Sequence, residues 1–257
     1  RVIYPPEPLP GIPDVRGAVA QAIENPVESD PLSAQLRPGM KVTIAFDDIS
    51  LTLPPMEKPD FRQTAIELLV EKLAAAGVTD IHLIAALGLH RRMTPKELKA
   101  CVGKRVFDQF HPTGQLYNHD AEDTDNMELL GRTEQGEHVE LNRRAVASDL
   151  VIYVNLNLTT MDGGHKSLNT GLTSYRSLKH HHNPTALEQS RSLMDPPNSA
   201  MHGSLHRMGA IVNEHVNAFH IESTYNTATF PKTFAFLERR EADWGIGDKL
   251  NFAVNKT

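Results

Sequence analysis

The chain has 257 residues, of which 40% are hydrophobic and 23% charged, and a formal net charge of −6. This composition supports one large globular domain or two small ones. No run of Lys or Arg offers a nucleic-acid surface, and no apolar stretch approaches the ~18 residues that a membrane span needs. The single cysteine, Cys101, excludes an internal disulfide and fits a reducing, cytoplasmic setting. In KELKACVGKR it reads as a structural thiol.

Residues 1–13, RVIYPPEPLPGIP, read as a proline-rich extended arm. PDVRGAVAQAIENP follows as a short helix with Asp14 as its cap. KVTIAFDD (41–48) is the first clear strand and ends in two carboxylates, Asp47 and Asp48. A loop covers 48–59. Asp60 then caps a helix to about Ala76, with Phe61, Ala65, Ile66, Leu69, Val70 and Leu73 on one stripe. Gly77 is its natural stop. DIHLIAALGL (80–89) is a near-continuous apolar run, suited to a strand covered on both faces. Thr94, Pro95 and Glu97 form a capping box, so a helix starts at about 95 and His90 lies between strand and helix.

QLYNHD (115–120) reads as a short strand ending in His119 and Asp120. GEHVELNRR (136–144) alternates like a strand, and SDLVIYVNL (148–156) is another buried one. The stretch 155–183, NLNLTTMDGGHKSLNTGLTSYRSLKHHHN, turns on Gly163 and Gly164, carries Lys166 just beyond them, continues as helix and ends in His180, His181 and His182. Helices are expected at 184–194 and 201–216, and a strand at NAFHIEST (217–224).

Alternating strands and helices with short connections predict an α/β fold, a doubly wound and mostly parallel sheet with helices on both faces. Residues 1–200 are expected to form one unit, with residues 201–257 its extension or a linker toward a further, C-terminal domain. The start at Arg1 and the last residues, LNFAVNKT, read as those of a fragment.

In such sheets ligands bind beyond the carboxyl ends of the strands. Four strand ends here carry polar groups: Asp47 with Asp48, His90, His119 with Asp120, and Asn155 to Lys166. The carboxylates could bind ribose hydroxyls or a metal, or simply anchor a loop. His90 titrates near neutral pH and could act as a general acid or base, or be bonded within a turn. His119 with Asp120 could be an oriented histidine or a structural pair. Gly163-Gly164-His165-Lys166 is like a phosphate-binding turn at a helix start, but Thr159 stands where a Walker A motif has its first glycine. Of three consecutive histidines only one or two can face one metal. Motifs for serine hydrolases, zinc proteases and dinucleotide binding are missing.

The series AFDDxS, LHRRMTPKEL, YNHD, LNRR…SDLVIYV, DGGHK and YRSLKHHHN resembles the N-terminal domain of the lactate racemase family over roughly residues 15–195. The resemblance implies a nickel-pincer nucleotide, a pyridinium mononucleotide joined to a lysine through a thioamide, with nickel held by two sulfurs and a carbon of the cofactor and by one histidine. It places Lys166 as the anchor, with Gly163, Gly164 and Asp47 beside the cofactor, and His182 as the nickel ligand. It places His90 as an acid/base histidine and Asp48 in the loop that follows the first strand, and His119 or His165 is the candidate to substitute for a second acid/base histidine. The implied reaction inverts a small 2-hydroxy acid by proton and hydride transfer. Two positions depart from the family. Leu51 replaces an arginine, and Leu156 replaces a second acid/base histidine ten positions before Lys166. They imply a substrate other than lactate or, alternatively, a non-racemising nucleotide- or metal-binding protein on the same fold.

Overall fold

The computed structural model describes residues 9–49 and 56–255. The expectations for the first part of the proline-rich arm and for Leu51 lie outside them.

Helix α1 (Val15–Glu24) begins where the Asp14 carboxylate accepts the Gly17 N–H at 2.8 Å. The short α2 (Leu32–Gln35) leads to strand β1 (Lys41–Asp47). Helix α3 (Phe61–Ala75) is capped by Asp60, and β2 (Asp80–Ala86) follows it. Helix α4 (Pro95–Phe110) opens on the capping box of Thr94 and Glu97. Next come β3 (Leu116–Asn118), β4 (Met127–Arg132), β5 (His138–Asn142) and α5 (Arg143–Val146). Strand β6 (Leu150–Asn157) precedes the short helices α6 (His165–Gly171), α7 (Tyr175–Leu178) and α8 (Pro184–Gln189). The described chain ends with α9 (Ala200–His215), β7 (Ala218–Thr224) and α10 (Ile246–Asn255).

Five strands form one parallel sheet in the order β3-β2-β1-β6-β7. Alternate residues of each strand serve opposite layers, as the period of two requires. Val42, Ile44 and Phe46 of β1 join Leu83 of β2 under α1, α3 and α4. Ala45, Ile84, Val151 and Tyr153 face the other layer, where Leu168 of α6 and Met208 and Val212 of α9 cover them. The doubly wound sheet with helices on both faces is therefore the observed architecture. Each wholly buried leucine, such as Leu69 or Leu73, contributes ~1.5–3 kcal/mol by leaving water. Beyond residue 200 the chain supplies α9 to the second layer and β7 to the edge of the same sheet.

Two local expectations change. Strand β5 does not enter the main sheet but pairs antiparallel with β4. The alternation of β4 is interrupted by a register shift between Leu129 and Gly131, which hides it in the sequence. The helix expected after the glycine turn is two short ones. Between them Thr173 bridges to Leu141 of β5, and its hydroxyl donates to the Glu140 carbonyl at 2.6 Å.

The topology also creates a crevice. The chain leaves β1 toward α3 on one face and leaves adjacent β6 toward α6 on the other. Their diverging carboxyl ends form a switch point, the usual ligand position in open α/β sheets.

Candidate functional site at the switch point

At that crevice lies a cleft of about 580 Å³, lined by Asp47, Asp48, His90, Asn155, Leu156 and Lys166 among others. The first wall is the end of β1. Arg62, buried on α3, pairs with Asp60 at 2.7 Å and donates to the backbone carbonyls of Asp47 at 2.9 Å and Asp48 at 2.8 Å. A buried charge is tolerable only when paired and bonded in this way. The backbone behind the two carboxylates is thus clamped. Asp47 accepts the Leu156 N–H at 2.5 Å and the Tyr153 hydroxyl at 3.1 Å. Burial outweighs those bonds and pushes its carboxyl up to about 6.

The second wall follows β2. Gly88 adopts φ 55°, and a side chain there would meet the Thr170 carbonyl at 2.6 Å. Its N–H donates to the Gly171 carbonyl at 3.1 Å, which seats this loop against α6. Two residues on, the half-exposed His90 ring places Nδ1 3.2 Å from Asp48 Oδ2. That bond raises the histidine above its ordinary value. With Nδ1–H donated to the carboxylate, Nε2 is the nitrogen left to take or give a proton.

The third wall follows β6. Asp162 uses Oδ2 to accept the N–H groups of Leu158 at 3.0 Å and Thr159 at 2.9 Å, and Oδ1 to hold Lys166 Nζ at 2.6 Å. Burial opposes its charge, but the lysine and those bonds hold its carboxyl below the usual range. The N–H of Gly164 donates to Glu222 of β7 at 3.0 Å.

Beyond α7, buried His181 sets Nε2 3.2 Å from the Asn169 carbonyl and Nδ1 2.7 Å from Nδ1 of His182. Burial, then the charges of Lys166 and His90, push His182 below its ordinary value. Among the described residues no group of three or more His, Cys, Asp or Glu is arranged to hold a metal ion. A metal at His182 would need most of its ligands from elsewhere.

The structure thus brings together Asp47, Asp48, His90, Gly163 and Lys166, and His182 is not among the residues that line the cleft. It does not bring His119 to the cleft. That ring is buried between β3 and the β5–α7 seam. Its Nε2 is 2.9 Å from the Thr173 carbonyl, its Nδ1 meets the Asn142 amide at 3.3 Å, and burial lowers its pKa. The acid/base expectation for His119 gives way to a structural one.

The phosphate-turn expectation also changes, because Glu222 already takes the Gly164 N–H that an anion would use. Gly163 serves conformation, with φ 90° and no room for a Cβ, which would lie 2.6 Å from Glu222 Oε2. His165 points its ring to α9, with Nε2 3.1 Å from the Asn213 amide. Cys101 lies buried in the cleft wall, its thiol pushed up to about 12 by burial, which leaves it inert. Sequence reasoning missed Arg62, Tyr153, Asp162 and Glu222. Only Asp162 had a local signal, its place four residues before a lysine.

Three comparisons bear on this arrangement. Residues 1–195 match the model of the lactate racemase N-terminal domain. A lactate racemase of Thermoanaerobacterium thermosaccharolyticum is 25% identical over 169 residues, which are 64% of this chain and 37% of that protein. The structure of the lactate racemase apoprotein of the same organism superposes with a TM-score of 0.69 at 21% identity, covering 89% of this chain and 54% of that one. A Thermotoga maritima protein superposes with a TM-score of 0.60 at 17% identity, covering 82% and 50%. At those identities the superpositions establish the fold. The chain spans little more than a third of the curated relative and about half of the solved ones. With its first 195 residues matched end to end, the chain belongs to the lactate racemase N-terminal domain family.

Proposed function

We propose that this chain is the cofactor-bearing part of a racemase or epimerase that uses a nickel-pincer nucleotide on a 2-hydroxy acid other than lactate. The observation that carries the reading is the convergence of Lys166 and the His90–Asp48 pair on one switch-point cleft. The residues fit the group. The cleft offers an amine in Lys166 and a buried Thr170 hydroxyl with no partner among the described residues. Ala86, Leu87 and Leu158 supply an apolar lining.

Lys166 would anchor the nucleotide and His182 would hold its metal. When bound, the group supplies a reversible acceptor for the substrate's hydride. His90 Nε2 takes the hydroxyl proton, and Asp48 holds the ring and offsets the charge that develops on it. Such a positioned base contributes about 10²–10⁴-fold. On the other side Leu156 presents hydrocarbon where the family has a histidine. Asp47, bonded to the Leu156 N–H, is a titratable group in contact with that position.

Co-expression with the cofactor-forming enzymes tests the reading. Peptide mass spectrometry is expected to find an adduct on Lys166, and an unmodified Lys166 under those conditions overturns it. Leu156 favours a second reading, a nucleotide-binding protein that does not racemise. A flat response across a panel of chiral hydroxy acids, with the adduct present, selects that alternative.

A further inference from the structure

Lys166 sits between two anchored neighbours. On one side the Gly164 N–H donates to Glu222 Oε1 at 3.0 Å. On the other, the Ser167 hydroxyl donates to Asn155 Oδ1 at 3.1 Å, and the same Asn155 donates through Nδ2 to Glu222 Oε2 at 2.8 Å. Asn157 Nδ2 donates to that oxygen too, also at 2.8 Å. One carboxylate thus gathers three donors, and both flanks of Lys166 lead back to it. The parallel register explains the meeting, since Glu222 of β7 stands opposite Asn155 of β6. Hydrogen bonds to a charged acceptor are about twice as strong as neutral ones.

Gly163 completes the fit. At φ 90°, a Cβ there would lie 2.6 Å from Glu222 Oε2 and 3.2 Å from Asn157 Oδ1. Only glycine lets the turn close on the carboxylate. Glu222 does not line the cleft and lies outside the span matched by the family model.

We infer that Glu222 is a positioning residue, which sets the glycine turn, and so the place of Lys166, from outside the cleft. The two ends of the lysine are then held by different carboxylates. Asp162 holds the ammonium and Glu222 holds the backbone. The functional consequence rests on the reading of Lys166 as the cofactor anchor, while the structural claim stands without it.

The test uses the full chain in three forms: unsubstituted, E222A and E222Q. Lysines are acylated with acetic anhydride and mapped by mass spectrometry, and backbone amides are followed by hydrogen exchange. In E222A the amides of residues 164–167 are expected to exchange about tenfold faster, the order set by losing a charge-assisted bond. Lys166 is expected to acylate faster in step, while Lys41 and Lys249 keep their rates. E222Q retains one acceptor oxygen and is expected to fall between the other two.

Adduct formation on Lys166 after co-expression with the cofactor pathway is expected to follow the same order, lowest in E222A. Unchanged exchange at 164–167 with unchanged Lys166 acylation in E222A overturns the inference. If every lysine accelerates in E222A, that variant has unfolded and E222Q decides. Intermediate rates confined to the turn then support the role, and rates equal to the unsubstituted chain overturn it. An unsubstituted chain without adduct counts against the anchor reading and leaves acylation and exchange to judge Glu222.

Discussion

Two histidines follow neighbouring parallel strands, and they end in opposite chemistry. His90, after β2, enters the cleft half exposed, meets the Asp48 carboxylate and is held above its ordinary pKa. His119, after β3, enters a buried seam, spends both ring nitrogens on the Thr173 carbonyl and the Asn142 amide, and is pushed down by burial. A strand end at the carboxyl edge is therefore an opportunity and not a role. The difference lies in what the next element brings over the ring. For His90 it is an open wall with a carboxylate. For His119 it is the backbone that separates α6 from α7.

That contrast can be broken by experiment. The largest effect is expected for H90N in the cofactor-loaded protein, where turnover falls about 10²–10⁴-fold with an unchanged thermal midpoint at a pH above the His90 titration. Stopped assays beside a melting curve check both. H119A is expected to act in the other currency. It leaves a buried carbonyl and a buried amide without their partner, at a cost of about 1–3 kcal/mol, seen as a lower denaturant midpoint with Lys166 loading retained. A folded H119A protein with the kinetic defect of H90N would erase the distinction.

A smaller effect sharpens the cleft side. His90 is raised in the fold, so the stability its bond contributes is complete below the ordinary value of 6.5 and lost as pH rises through the folded value. D48N is expected to move the His90 titration midpoint to lower pH, followed by NMR, and no movement would show that Asp48 does not tune the ring. The smallest effect concerns Asp47, which is also raised, from 3.8 to about 6. By the same sign its contribution is complete below 3.8 and declines as pH rises through about 6. D47N is expected to flatten that part of the stability profile, measured as denaturant midpoint against pH.

Much of the fold was legible because its signals are local. The runs VTIAF and LVIYV are strands covered on both faces, and the caps at Asp14, Asp60 and Thr94 are in place. The alternation of layers then followed from the order of elements. The β4–β5 ladder was not legible as a separate sheet, since its pairing depends on contacts over α5 and α9 and its pattern is broken at Leu129. The site divided in the same way. Asp48, His90 and Lys166 stand at recognisable strand ends and turns. Glu222 carries no signal in NAFHIEST, because its meaning arises only when β7 sets it opposite Asn155, and Arg62 resembles any helix-surface arginine until α3 folds it inward.

Strand β7 also guards the sheet. It occupies the edge position next to β6, whose residues from Leu150 to Leu156 are all buried. An uncovered, flat apolar strand is a template for pairing with another chain. β7 closes that template, and its own exposed side carries Glu222 and Thr224, polar groups that discourage a further strand from adding. Ending the chain at residue 195 would remove this cover and leave β6, buried on both faces, as the sheet's edge, and a chain cut there is expected to self-associate.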